Sequence, residues 1–261
     1  MKYQVQDRNG AMVMMKKRVT NIDPSLPTYI RLPGNPIPRS WAFTIMKMQP
    51  LQQDLPPLPG SRTLQVPSIL DADLTTFGND YAAVYMDPPL LLPGEEPSPG
   101  KISFEEFSKI KVNKIIKSGF VFMWIEKEWL REIIRVTKEW GFKYVENFCW
   151  IKKNVNNRIA LQPGKLFNKS KLSLLIFRIG GDVDLRHQRS PDCVFDFVQP
   201  IEPGEVSERK PDFLYQVIET MLPGAVYHPE NNPEGNKLLE LWAKRDQRRT
   251  GWTTLVENHQ L

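Results

Sequence analysis

The stretch YAAVYMDPPL, residues 81–90, decides how the rest of the chain is read. Its first six residues form an unbroken apolar run, the pattern of a central parallel strand covered on both faces. Asp87, Pro88 and Pro89 then end the strand, because proline cannot continue a hydrogen-bonded ladder. In open α/β sheets ligands bind outside the carboxyl ends of the strands, so Asp87 stands where a site is expected. An Asp–Pro–Pro turn suits methylation of an amino group. The carboxylate and a proline carbonyl can both accept hydrogen bonds from an exocyclic amine, leaving its lone pair aimed at a methyl donor. An aromatic ring next in line would stack on an extruded or single-stranded base. This chain has Leu90 there. Taken alone, the turn reads first as a plain strand stop.

Downstream the pattern is regular. SFEEFSKIKVNKII (103–116) predicts a helix opened by a Ser103/Glu106 capping box. GFVFMWI (119–125) is a second buried strand. KEWLREIIRVTKEWG predicts a helix stopped at Gly141. YVENFCWIKK (144–153) and KLSLLIFRI (171–179) read as strands joined by a polar loop, and DCVFDFV (192–198) as a shorter strand. Pro211 opens a helix that runs towards Gly224. Residues 236–244 and 252–256 supply the last strand-like runs. The alternation predicts an α/β fold with helices on both faces of the sheet. Ten prolines between Pro24 and Pro67 predict an extended arm, since proline fixes φ and removes backbone donors. The expected division is therefore a proline-rich arm over 1–67 and one domain over 68–261.

The totals narrow the class. A chain of 261 residues, 41% hydrophobic and 25% charged, has the size and composition of a globular domain with a real core. No apolar run approaches membrane-spanning length, and the first residues lack the apolar core of a signal peptide. Cys149 and Cys193 each lie in an apolar run and are expected as buried thiols, which points to a reducing compartment. His187, His228 and His259 are scattered, without metal-ligand spacing. The charge of +5 permits nucleic-acid binding without requiring it. Basic clusters concentrate in the second half. The residues expected to meet phosphates are Lys152, Lys153, Arg158, Lys165, Lys169 and Lys171, together with Lys244, Arg245, Arg248 and Arg249.

DPPL, FVFMWI, EWGFKYVENFCWIKKN, KLFNKSKLSLLIFRIGG, ERKPDFLYQVIETMLPG and KLLELWAKRDQRRTGWTTL together resemble the eukaryotic MT-A family of adenine-N6 methyltransferases. The resemblance runs from Tyr81 to Leu255 in the family's motif order and implies a Rossmann-like methyltransferase sheet. It also exposes departures. Active members carry an aromatic residue where Leu90 stands, and a Glu and a His where Leu172 and Ser173 fall. They carry Gly and Asn where Val256 and Glu257 follow GWTTL, and a His and an Asn near the donor's ribose where this chain has RDQRR. No G-x-G occurs to offer another glycine cradle.

The resemblance therefore implies a degenerate remnant at Asp87, Pro88, Pro89 and Leu90, with no catalytic or cofactor-binding residues of its own. The expected role is the silent subunit of a heterodimer, like the silent member of a ciliate DNA-methylating pair. Its partner would be a catalytic homologue that uses S-adenosylmethionine and faces the loop between 153 and 171. DNA is favoured over RNA as substrate, further nucleic-acid-binding subunits fit, and the expected location is the nucleus. The competing readings are an active methyltransferase with a remodelled pocket, and a nucleic-acid-binding module without such a partner.

Overall fold

The computed structural model describes residues 2–6, 12–16, 58–186 and 190–258. The chain divides into two compact units, Met1–Pro36 and Ile37–Leu261. In the first, β1 (Lys2–Gln6) and β2 (Met12–Lys16) form an antiparallel pair with Lys2 opposite Lys16. This corrects the expectation of an extended arm throughout 1–67, because a paired hairpin opens the chain. Most of the proline-rich stretch lies outside the described residues.

The second unit holds an eight-stranded sheet in the order β3-β10-β9-β4-β5-β7-β6-β8. β3 (Arg62–Val66) pairs in parallel with β10 (Trp252–Glu257), so the domain begins before residue 68. Its five residues lie between Pro59 and Pro67, which hid a short edge strand inside a proline-rich composition. β4 (Ala83–Met86) is fully buried and runs parallel to both its neighbours, as its apolar run predicted. Those neighbours are β5 (Gly119–Ile125) and β9 (Leu238–Leu241). β7 (Lys171–Ile179) then runs antiparallel between β5 and β6 (Lys143–Lys153), and β8 (Cys193–Phe197) closes the other edge parallel to β6. The start of β5 lies so close to β4 that a Cβ on Gly119 would stand 2.2 Å from the Ala82 carbonyl oxygen. Only glycine permits that approach.

Alternation along the strands divides the core into two layers. Val84, Met86, Val121, Met123, Leu175 and Phe177 face one cluster. It is covered by α1 (Phe104–Ser108), through Phe107, and by α2 (Leu130–Glu139), through Ile133 and Val136. Tyr85, Phe122, Trp124, Leu174 and Trp252 face the other, covered by α3 (Phe213–Met221) through Leu214, Tyr215 and Ile218. Helices thus lie on both faces, as the sequence predicted.

Local signals explain the helix ends. Ser103 and Glu106 make the full capping box of α1. The helix expected over 103–116 stops at Ser108, and Val112–Lys114 forms a separate 3-10 turn whose Val112 reaches the core. Gly141, with φ of 90°, terminates the turn after α2, where the Phe142 amide donates to the Thr137 carbonyl. α3 ends ahead of Pro223 instead of running to Gly224.

Candidate functional site at the carboxyl ends of β4 and β9

Strand order reverses between β4 and β9: β5 lies beyond one, and β10 and β3 beyond the other. Such a switch point is where open α/β sheets build their sites. Asp87 leaves β4 there and Trp242 leaves β9. Trp242 has φ of 58°, a left-handed conformation that costs a bulky residue energy. Its indole N–H donates to Glu257 Oε2 at 2.8 Å, which helps to hold it. Glu257 Oε1 accepts from the Ile69 amide at 3.1 Å, so both carboxylate oxygens serve the fold.

The space in front of Asp87 is crossed by residues 205–210. Asp87 Oδ2 accepts from Lys210 Nζ at 2.7 Å and from Ser207 Oγ at 2.9 Å. Lys244 Nζ donates to Ser207 Oγ and to the Ser207 carbonyl, both at 2.7 Å, and pairs with Glu205 at 3.4 Å. Lys152 pairs with Glu208. Three carboxylates (Asp87, Glu205, Glu208) meet three ammoniums (Lys152, Lys210, Lys244), so the group is neutral as a whole. Arg209 reinforces one flank by donating to Glu202, Asp246 and Gln247. The turn itself is used internally: the Pro88 carbonyl accepts from the Leu90 amide and the Pro89 carbonyl from Ile102. Leu90 packs against the α1 and α2 core.

Below this strap, Glu240 of β9 is buried and accepts from Tyr215 Oη at 2.7 Å, while its second oxygen has no partner among the described residues. Burial pushes its carboxyl up to about 8, and the charge of Asp87 adds to this. The Tyr215 bond and the charges of Lys244 and Arg209 act in the opposite direction. Burial also drives the Tyr85 and Tyr215 phenols well above their usual range.

The ten cations named from sequence do not form one face. Lys152 and Lys244 are buried in the strap, which corrects their reading as phosphate contacts: their charges are already compensated. Lys169 is pinned between Glu126 and Glu128; burial disfavours its charge, but these carboxylates outweigh that and raise its pKa. Arg249 lies over the Tyr215 ring and pairs with Glu219. Arg158, Lys165, Lys171, Arg245 and Arg248 are exposed, and Lys153 is half-buried with its ammonium 5.0 Å over the Phe197 ring. Leu172 packs into the α3-side core, Ser173 points to the other face, and Val256 is buried in β10.

Sequence reasoning missed Ser207, Lys210 and Glu240 as parts of one site. A lone acid inside the apolar run LLELW was the legible signal for Glu240. The strap carried none, because its partners lie 120 and 123 residues from Asp87.

The sheet order, the acid at the switch point and the two helical layers define a Rossmann-like methyltransferase domain. The MT-A70 family profile matches residues 81–258, more than half of the sequence, and the chain belongs to that family. It is 26% identical over 192 residues to the Arabidopsis thaliana N(6)-adenosine-methyltransferase MT-A70-like protein, covering 71% of this chain and 25% of that one. It is 24% identical over 188 residues to the N(6)-adenosine-methyltransferase catalytic subunit METTL3 of Homo sapiens, covering 70% and 29%. With the non-catalytic subunit METTL14 of Xenopus laevis it shares 27% over 210 residues, covering 72% and 42%. The chain thus spans about a quarter to a third of its plant and fly relatives. Relatives bearing both subunit names match it at similar identity.

Proposed function

We propose that this chain is the non-catalytic subunit of a heterodimeric adenine-N6 methyltransferase. It stabilises a catalytic MT-A relative in the nucleus and helps to hold nucleic acid, DNA in preference to RNA. The observation that carries this reading is the occupied Asp87. A carboxylate already bound to Lys210 and Ser207, beside proline carbonyls already accepting internal bonds, is poorly placed to receive an exocyclic amine.

The residues expected around S-adenosylmethionine do not fit it either. Where a glycine would let backbone approach the donor, Val256 is buried in a strand. Glu257 brings a carboxylate committed to Ile69 and Trp242. Asp246 and Gln247, in the segment expected beside the ribose, bind Arg209. No catalytic step is therefore assigned to this chain.

The loop between β6 and β7 supports an obligate partner. Leu166 and Phe167 are 85% and 79% exposed at its tip, while Lys169 ties its base to Glu126 and Glu128. Large apolar side chains held outward on an anchored loop suit a protein interface. Their covering by a catalytic homologue is the expected outcome of co-expression.

Calorimetric titration with S-adenosylmethionine tests the reading. The isolated chain should give no heat of binding, and the co-purified heterodimer should bind the donor at one site. Micromolar binding by the chain alone would overturn it in favour of an active enzyme with a remodelled pocket. Loss of the complex's activity on Asp87→Ala, with the heterodimer intact, would do the same.

A further inference from the structure

Among the described residues, none from β8 belongs to the core cluster that α1 and α2 cover. On that side of the sheet Lys171, Ile151 and Phe195 form one cross-strand row, because Lys171 is opposite Ile151 and Ile151 opposite Phe195. One step on, Lys153 is opposite Phe197. Paired residues share a face, so these five side chains line a single strip. The reverse face of the same strands, through Trp150, Leu172 and Val194, is packed against the α3-side core. On the strip Phe195 is 57% and Phe197 44% exposed, and Ile151 is only half-buried. Phenylalanines at alternate positions of an edge strand would ordinarily face a covering helix.

We propose that this strip is a stacking platform for single-stranded nucleic acid, a site separate from the switch-point strap. It rests on the reading of the chain as a subunit that handles nucleic acid. Two exposed rings on one strand stand about 6.6 Å apart, within reach of successive bases of an extended strand. Base–aromatic stacking tolerates any sequence, because every base has a π-face. Lys153 and Lys171 flank the rings, and among the described residues neither has an ion-pair partner. Lys153 already lies over the Phe197 ring, where an ammonium is attracted by the π-face and remains within reach of a phosphate. No carboxylate occurs in either row. Asp192, whose carbonyl accepts from the Cys149 amide, lies just before β8. Exposed rings with a lysine in the same cross-strand row match the platforms that bind single strands. A purely protein-binding face would not need the cation in each row.

The test uses the full chain, alone and co-purified with its catalytic homologue, and a fluorescent single-stranded 20-mer of mixed sequence. Phe195→Leu with Phe197→Leu keeps the apolar surface but removes stacking. Affinity for the 20-mer should fall about 5- to 100-fold per ring, with little change in its salt dependence. Lys153→Ala with Lys171→Ala should instead flatten the salt dependence. Photo-crosslinking to the 20-mer should map to the peptide holding Phe195 and Phe197. Unchanged affinity of the leucine pair, with crosslinks elsewhere, would overturn the platform. Loss of co-elution with the homologue at unchanged 20-mer affinity would overturn it too, and would assign the strip to a protein partner. A failed heterodimer with the wild-type chain would defeat the proposed function and leave the platform standing on its own binding data.

Discussion

Lys210 and Asp87 form a largely enclosed ion pair at the switch point. Their side chains are only 7% and 16% exposed, so removing one leaves the other charged in a poorly hydrated place. Lys210→Ala should cost roughly 3 kcal/mol in urea unfolding. Lys210→Met combined with Asp87→Leu should recover much of that loss, because no orphaned charge remains, and a double-mutant cycle measures the coupling directly. Glu240 offers a second handle. Its carboxyl, raised to about 8 in the folded chain, starts from an ordinary value of 4.5. Between those values the unfolded chain binds fewer protons than the folded one, so stability falls as pH rises from about 4.5 to 8. Glu240→Gln should abolish that slope, read from unfolding midpoints at about pH 5, 6, 7 and 8. The acid inside LLELW was a sign of a buried carboxyl that the sequence reading left unused. Its pairing with Tyr215 had no such sign, because only the packing of α3 on β9 brings the two together.

The elements divide between those that local sequence dictates and those that tertiary pairing creates. β5, β7 and α2 were legible because each is a long periodic or continuously apolar segment with its own stop signal. β3 was not, since five residues between prolines become a strand only when β10 offers a ladder. The strap was illegible for the same reason at greater range. The basic clusters misled by composition: Lys152 and Lys244 look like surface charges until Glu208, Ser207 and Glu205 enclose them. Two substitutions probe these elements. Gly119→Ala should be severely destabilising, because the β-carbon would strike the Ala82 carbonyl and the strand pair must part; the thermal midpoint should drop by many degrees. Ser103→Ala removes one half of the α1 capping box and should cost about 1 kcal/mol.

Across the whole molecule, charge that is neutralised within the fold has to be separated from charge offered to solvent. Arg158 and Lys165 stand exposed on the β6–β7 loop, whereas Lys152 and Lys244 are enclosed. Replacing the exposed pair with alanine should reduce the salt slope of duplex binding by about 0.9 for each phosphate no longer neutralised. Replacing the enclosed pair should lower the unfolding midpoint and leave that slope unchanged. At the β8 edge, Cys149 and Cys193 are free and sit opposite one another on adjacent parallel strands, two residues before the Ile151–Phe195 row and on the same face. These thiols are two natural attachment points beside the strip. Burial pushes the Cys149 thiol up, so a maleimide dye should react there faster as pH rises above neutrality. Labelling rate then becomes a clock for occupancy: a ligand or partner seated on the strip will slow it, and departure will restore it.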